Sequence, residues 1–275
     1  MLHVPGVLIT TSHKITERLT TETLVLGSGY SGLAAAALLA HEGHQVTVLE
    51  AHETVGGCAS FFRKGRYTFD VGATTFSGIR ADQPVGRLLQ HLGLQPEFRK
   101  LDPAMLVRLP DLDVVRDADP NAWIARATDL FSGGDQPRFW NTLYDLERRV
   151  WDLIADRTYL PPSTVKDWMQ MADPRNLGAL PLVNGLLRPM SWLMQRHGVD
   201  ADPRFRMFVD EQMLISTQST SAHAPYLTGA MGLTYPSETY YPVGGMYVPA
   251  VQLLRHITKH GGEVKFRRRV TSVVR

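Results

Sequence analysis

The sequence predicts an α/β fold that opens on a dinucleotide-binding βαβ unit, and three observations predict it. A short apolar and β-branched run, Thr23 to Leu26, leads into glycines at 27, 29 and 32, spaced G-x-G-x-x-G. The stretch "LAAAALLA", Leu33 to Ala40, is a strong helix former and stops at Gly43. A second β-rich run, "QVTVLE", then closes on Glu50.

Each element has a physical reason. Thr23 to Leu26 suits a strand buried on both faces. Gly27 permits a tight turn, Gly29 lets backbone approach a pyrophosphate, and Gly32 lets helix and strand pack closely. Ser28, Tyr30 and Ser31 fill the positions between the glycines, and their amides are expected to face the anion. The small alanines let the helix lie flat on a sheet, and its free N-terminal N–H groups favour a phosphate. Glu50 follows at about the distance expected of a carboxylate that binds a ribose hydroxyl, with Ala51 beside it. An acid at this position favours FAD or NAD over NADP.

Composition sets the outer limits. The 275 residues suffice for one large domain or two modest ones. Twenty-nine Lys and Arg nearly balance 27 Asp and Glu, so net charge gives no case for a nucleic-acid partner. The single cysteine, Cys58, excludes an internal disulfide and suits a reducing compartment. No apolar run in the sequence is long enough to span a bilayer. Residues 1–22 read as a disordered extension, without the basic start of a signal peptide.

The residues after Glu50 narrow the ligand. "AHETVGGCASFFRKGRYTFDVGATTFSG" brings a second glycine pair, Gly56 and Gly57, then Cys58, an expected hairpin, and Asp70-Val71-Gly72. A nicotinamide dehydrogenase usually continues into another helix here. This stretch resembles the flavin amine-oxidase and phytoene-desaturase superfamily, and "GGCASFF…YTFDVGATTFSG" is most similar to its carotenoid desaturase and isomerase group. The resemblance covers about Leu24 to Arg275. It implies a Rossmann-type FAD-binding domain with an inserted α+β substrate domain, and FAD as cofactor. Many relatives carry Arg after the glycine pair. Here Cys58 stands in its place, read as a small loop residue, so the phosphate contacts are expected to fall to backbone N–H groups or to Arg63 or Arg66. Asp70 and Gly72 are expected beside the cofactor.

On this reading residues 23–80 begin the FAD-binding domain, 81–240 form a mostly helical substrate domain with a small sheet, and 241–275 return to the FAD domain. "QPVGRLLQHLGL" reads as a helix, and "AMLVRLPDLDVVRD" as a hairpin. Asp119-Pro120 and Asp202-Pro203 read as helix starts. "DQPRFWNTLYDLERRVWDLIAD" carries Phe139, Leu143, Leu146, Val150, Leu153 and Ile154 on one helical stripe. Residues 176–198, rich in Leu, Met and Trp, allow a monotopic membrane patch, a tunnel mouth or plain buried helices. The ten histidines are read as scattered with no H-x-x-x-H or similar spacing, with His223 placed near the substrate cavity of relatives; no metal site is expected.

At the far end, Gly244 and Gly245 open a helix and are expected on the substrate side of the flavin. "EVKF" and "VTSVV" are expected as two short strands, and the resemblance places Val270 at the adenine. Arg267 to Arg269 are read as a solvated edge. Relatives continue for about as long again, so the chain reads as the N-terminal half of a flavoenzyme, with a C-terminal half supplied by a separate chain or absent. Weak FAD binding and no turnover are expected of it alone.

The resemblance implies hydride transfer between flavin and an apolar polyene, in desaturation or cis–trans isomerisation, in the cytoplasm or peripherally at a membrane. No catalytic acid or base can be named. Two alternatives stand: an amine or porphyrinogen oxidase of the same superfamily, and a non-catalytic nucleotide-binding module.

Overall fold

The computed structural model describes residues 8–10, 16–18, 21–155, 164, 165, 169 and 180–273. The chain divides into two compact units, Met1–Arg99 with Tyr240–Arg275, and Lys100–Thr239. The division leaves residues 81–99 in the first unit, where the sequence reading assigned them to the second.

The first unit starts with β1 (Leu8–Thr10) and β2 (Thr16–Arg18), an antiparallel pair. This corrects the expectation of a disordered extension for those residues: Ile9, Thr10 and Thr16 are β-branched and suit a ladder. The remainder of 1–20 lies outside the described residues. Strand β3 (Thr23–Leu26), helix α1 (Tyr30–His41) and strand β4 (Val46–Leu49) form the expected βαβ unit. The strands run parallel, with Thr23 opposite Val46 and Leu26 opposite Leu49. All four residues of β4 are buried, as in a strand covered on both faces. Helix α1 lays Leu33, Ala36, Ala37 and Ala40 against the core.

The expected hairpin is present as β5 (Phe61–Lys64) and β6 (Tyr67–Asp70), turning at Gly65. Helix α2 (Pro84–His91) follows, and then strand β7 (Phe98–Lys100).

The second unit begins with the hairpin β8 (Met105–Arg108) and β9 (Asp113–Arg116), then turns helical. Its helices are α3 (Pro120–Leu130), α4 (Gln136–Ala155), α5 (Leu180–Leu187), α6 (Met190–His197), α7 (Pro203–Thr217) and α8 (Tyr226–Thr234). Both expected caps form: the Asp119 carboxylate accepts from the Ala122 amide, and that of Asp202 from the Arg204 amide, each at 2.8 Å. Asp202 also accepts from the amide and hydroxyl of Ser132. Burial raises its pKa, but the hydrogen bonds from Ser132 and Arg204 outweigh that and hold it at about 2. Phe139, Leu143 and Leu146 of the α4 stripe are buried, and Val150 and Leu153 pack against the same core.

The centre of this unit is a buried cation. Arg116 is fully buried, with its guanidinium 4.2 Å from the Trp123 ring centroid and 5.2 Å from that of Trp140. It donates to the carbonyls of Asp117 and Leu233 and to the Tyr144 hydroxyl. No carboxylate accepts a hydrogen bond from it among the described residues; neutral oxygens and ring faces surround it, with the Asp117 carboxylate acting through space.

The chain then re-enters the first unit through β10 (Tyr240–Pro242), helix α9 (Val248–Lys259) and strand β11 (Glu263–Lys265). β11 pairs parallel with β4, giving the sheet order β11-β4-β3, and β7 pairs with β10. The second strand expected over "VTSVV" does not form among the described residues. Arg267 takes a left-handed conformation, and its amide and that of Arg268 donate to the carbonyls of His52 and Glu50. The chain turns there, out of the β11 direction, so Val270 to Val273 run irregular.

Replacing Arg116 by Ala leaves a cavity between two indoles and orphans the Leu233 carbonyl. The expected loss is about 3 kcal/mol. Arg116→Met, which refills the volume, should lose less. Urea midpoints of the two variants against the parent chain measure both.

Candidate functional site

The carboxyl ends of parallel strands are where α/β sheets bind ligands. Here Leu26 and Leu49, the last residues of β3 and β4, line a cavity of about 490 Å3 together with Gly27, Glu50, Ala51 and residues 268–273. The structure thus brings Gly27, Glu50, Ala51 and Val270 to one place. Val270 reaches it as irregular chain rather than as a strand.

The turn between β3 and α1 is held by its own atoms. A Cβ on Gly32 would lie 2.3 Å from the Gly27 carbonyl oxygen, so the protein's own backbone excludes any side chain there. Gly29 is different. It caps α1 with φ −66°, which any residue adopts, and nothing lies within 4 Å of its notional Cβ. The space at Gly29 is not used by the chain's own packing, and it adjoins the free N-terminal amides of α1.

Glu50 is buried and fully engaged. One carboxylate oxygen accepts from the Ser28 amide at 2.8 Å and the Ser28 hydroxyl at 2.6 Å; the other accepts from the His52 amide at 2.8 Å. Burial pushes its pKa up, but the hydrogen bonds from Ser28 and His52 prevail and leave it below the usual carboxylate value. The carboxylate therefore braces the glycine turn, a role that spacing alone did not show. The oxygen bonded to the His52 amide accepts only that one bond and retains acceptor capacity for a ligand hydroxyl.

The second glycine pair packs on the first. The Gly56 amide donates to the Ser28 carbonyl at 2.9 Å, and a Cβ on Gly57 would sit 3.1 Å from the Gly29 α-carbon. Cys58 is exposed and free, and its carbonyl accepts from the Ala73 amide. Gly72 passes close to that same carbonyl. Arg63 lies over the Phe61 ring and Arg66 on Tyr67, both on the hairpin, and neither lines the cavity. Of the basic run, Arg267 pairs with Glu53 in solvent, whereas Arg268 and Arg269 line the cavity.

Asp70 has a partner that the sequence did not reveal. Its carboxylate accepts from the Tyr241 hydroxyl at 2.7 Å and the Met246 amide at 3.1 Å. The Tyr30 hydroxyl donates to the Met246 carbonyl at 2.6 Å. Asp70 and the loop bearing Gly244 and Gly245 are thus one assembly, and Tyr30 is spent on fixing it. The bond to Asp70 and burial push the Tyr241 phenol up to about 12. Burial also raises the pKa of the Tyr30 phenol. Both phenols stay protonated at neutral pH.

A family model described as flavin containing amine oxidoreductase matches residues 30–275. The chain belongs to this family. The family implies a flavin cofactor. Chloroplastic prolycopene isomerase of Arabidopsis thaliana is 25% identical over 275 residues, covering 92% of this chain and 43% of that protein. A 4,4'-diapophytoene desaturase of Staphylococcus haemolyticus is 58% identical over 148 residues, 50% of this chain and 28% of that one. Wild-type putrescine oxidase bound to putrescine shares the fold, with a TM-score of 0.53 at 16% identity over 90% of this chain and 51% of that chain. The chain spans less than half the length of these curated relatives.

The reading of the histidines as scattered is also corrected. His256 on the last turn of α9 and His260, which caps it, stand four apart as H-x-x-x-H, and His41 of α1 meets them.

Two substitutions separate architecture from ligand. Gly32→Ala should cost roughly 1–3 kcal/mol through overpacking. Gly29→Ala should leave the melting temperature nearly unchanged yet weaken flavin-nucleotide binding; thermal melts and fluorescence titration read both. Glu50→Gln should cost about 1–3 kcal/mol near neutrality by turning an amide toward the Ser28 and His52 donors. The folded-state pKa of Glu50 is depressed, so its contribution is full above the ordinary carboxylate pKa and is lost as pH falls through the folded value. The stability gap between parent and Glu50→Gln should therefore close on acidification.

Proposed function

We propose that this chain carries the dinucleotide-binding part of an FAD-dependent oxidoreductase that desaturates or isomerises a carotenoid-like polyene. The observation that carries the cofactor is the second glycine pair seated on the first. A nicotinamide site needs one such turn, whereas a long ligand wrapped from both sides uses two. The amides of Gly27 to Gly32 and the start of α1 would hold the pyrophosphate, with Gly29 leaving it room. Glu50 would accept from the ribose and Val270 would flank the adenine. Gly56, Gly57, Cys58, Gly72 and the Asp70-braced loop at Gly244 and Gly245 would face the remainder. Bound FAD supplies the hydride chemistry. The protein's own part is to bind, orient and exclude water.

Support for the substrate class comes from the carotenoid relatives and from the apolar character of the second unit. Val183, Leu186 and Leu187 of α5 are exposed at i, i+3, i+4 positions. That face supports peripheral contact with a lipid surface, from which such a substrate would be drawn. No helix among the described residues is long and apolar enough to cross a membrane. Residues 176–179 of the expected patch lie outside the described residues.

The test is the visible spectrum of the purified chain after incubation with FAD and gel filtration. It is run alone and with a polypeptide matching the C-terminal portion of the carotenoid relatives. Retained flavin, followed by new double bonds or altered geometry in an acyclic carotenoid precursor on chromatography, is the expected result. Protection of the fold by NAD and not FAD overturns the cofactor. Peroxide release with amines, and none of these polyene products, overturns the substrate class.

A further inference from the structure

At the far end of α1 from the glycine turn, roughly 16 Å along the helix, lies a second cluster of potential ligands. His41 is the last residue of α1, His256 lies on the last turn of α9, and His260 caps the C-terminus of α9. One ring nitrogen from each lies within 4.8 Å of the other two. His41 Nδ1 is 3.1 Å from His256 Nε2. Two nitrogens bound to one zinc ion at about 2.0–2.1 Å each stand at nearly that separation in a tetrahedral site.

The surroundings also suit ligation. His260 Nδ1 is 2.9 Å from the His256 carbonyl oxygen, close enough to donate to it. That bond fixes the tautomer and leaves Nε2 with its lone pair, as outer partners of metal-bound imidazoles do. His256 is buried, while His41 and His260 are half-buried, so the cluster is both held and reachable. His91 of α2 stacks edge-on to His41 at 5.2 Å between centroids, and its Nε2 is 3.3 Å from Glu42.

We propose that His41, His256 and His260 form a binding site for a divalent transition-metal ion of the zinc class, separate from the flavin site. An all-imidazole set suits zinc, copper and nickel and not magnesium or calcium. Three protein ligands leave a fourth position for water. The ion clamps the C-terminal ends of α1 and α9, the two helices that cover the same side of the sheet core.

The test is calorimetric titration of the untagged, metal-stripped chain with Zn2+, with Co2+ absorbance as a second reading. One equivalent should bind, and the melting temperature should rise with Zn2+. His41→Asn and His260→Asn, both at half-buried positions, should each weaken binding by about 10-fold or more. The double variant should abolish both the equivalent and the thermal shift. His223→Asn, in the other unit, should bind as the parent does. Circular dichroism confirms that each variant is folded, and His260→Gln serves if His260→Asn is not. Failure of the parent to bind one equivalent, or undiminished binding by the folded double variant, overturns the proposal.

Discussion

The first unit depends on the grip around Ser28. Its amide and hydroxyl donate to one oxygen of Glu50, while its carbonyl accepts from the Gly56 amide. One residue between two glycines is thereby tied to the end of β4 and to the second glycine loop. Without that grip, the turn after β3 would lose the bonds that tie it to β4 and to the second glycine loop. Only polar bonds of fixed direction hold so flexible a segment in one geometry, because glycines contribute no side-chain packing of their own. The depressed pKa of Glu50 is the same fact in electrostatic form: the donors favour the carboxylate more than burial penalises it.

A second brace acts between segments far apart in sequence. Asp70 ends β6, and Tyr241 and Met246 belong to the returning chain, some 170 residues later. With Tyr30 bonded to the Met246 carbonyl, the glycine helix, the hairpin and the return loop share one hydrogen-bond network. This explains how Gly244 and Gly245 acquire a defined place, since the amide following them is bonded to a carboxylate. Both phenols stay neutral: Tyr241 donates to the Asp70 carboxylate and Tyr30 to the Met246 carbonyl.

The legible parts of the sequence were those governed by local rules. The βαβ unit, both hairpins, the aspartate caps and the α4 stripe follow from periodicity, glycine spacing and capping chemistry within a few residues. What escaped depends on distance. Nothing near Asp70 announces Tyr241, and nothing near Arg116 announces the two tryptophans and the Leu233 carbonyl that enclose it. The missing strand after β11 is a tertiary effect too: Val270, Thr271 and Val273 have strand propensity, but the turn at Arg267 carries them across Glu50 instead. Half of the histidine cluster stood in the sequence, in the four-residue spacing of His256 and His260, but His41 joins them only through helix packing.

The same contrast explains why the cofactor side of this protein is easier to read than its substrate side. A pyrophosphate makes directional demands on backbone amides, and those demands leave glycines at fixed spacing and an acid at a fixed distance. An apolar polyene makes almost none. It requires surface that is apolar, shaped and dry, and many arrangements of Leu, Met, Phe and Trp meet that requirement. The second unit accordingly shows a well-packed aromatic core and an exposed apolar face on α5, with no spacing that names a ligand. The carotenoid relatives, rather than any residue pattern in that unit, are therefore what supports the proposed substrate class, while the glycine spacing and Glu50 support the proposed nucleotide site.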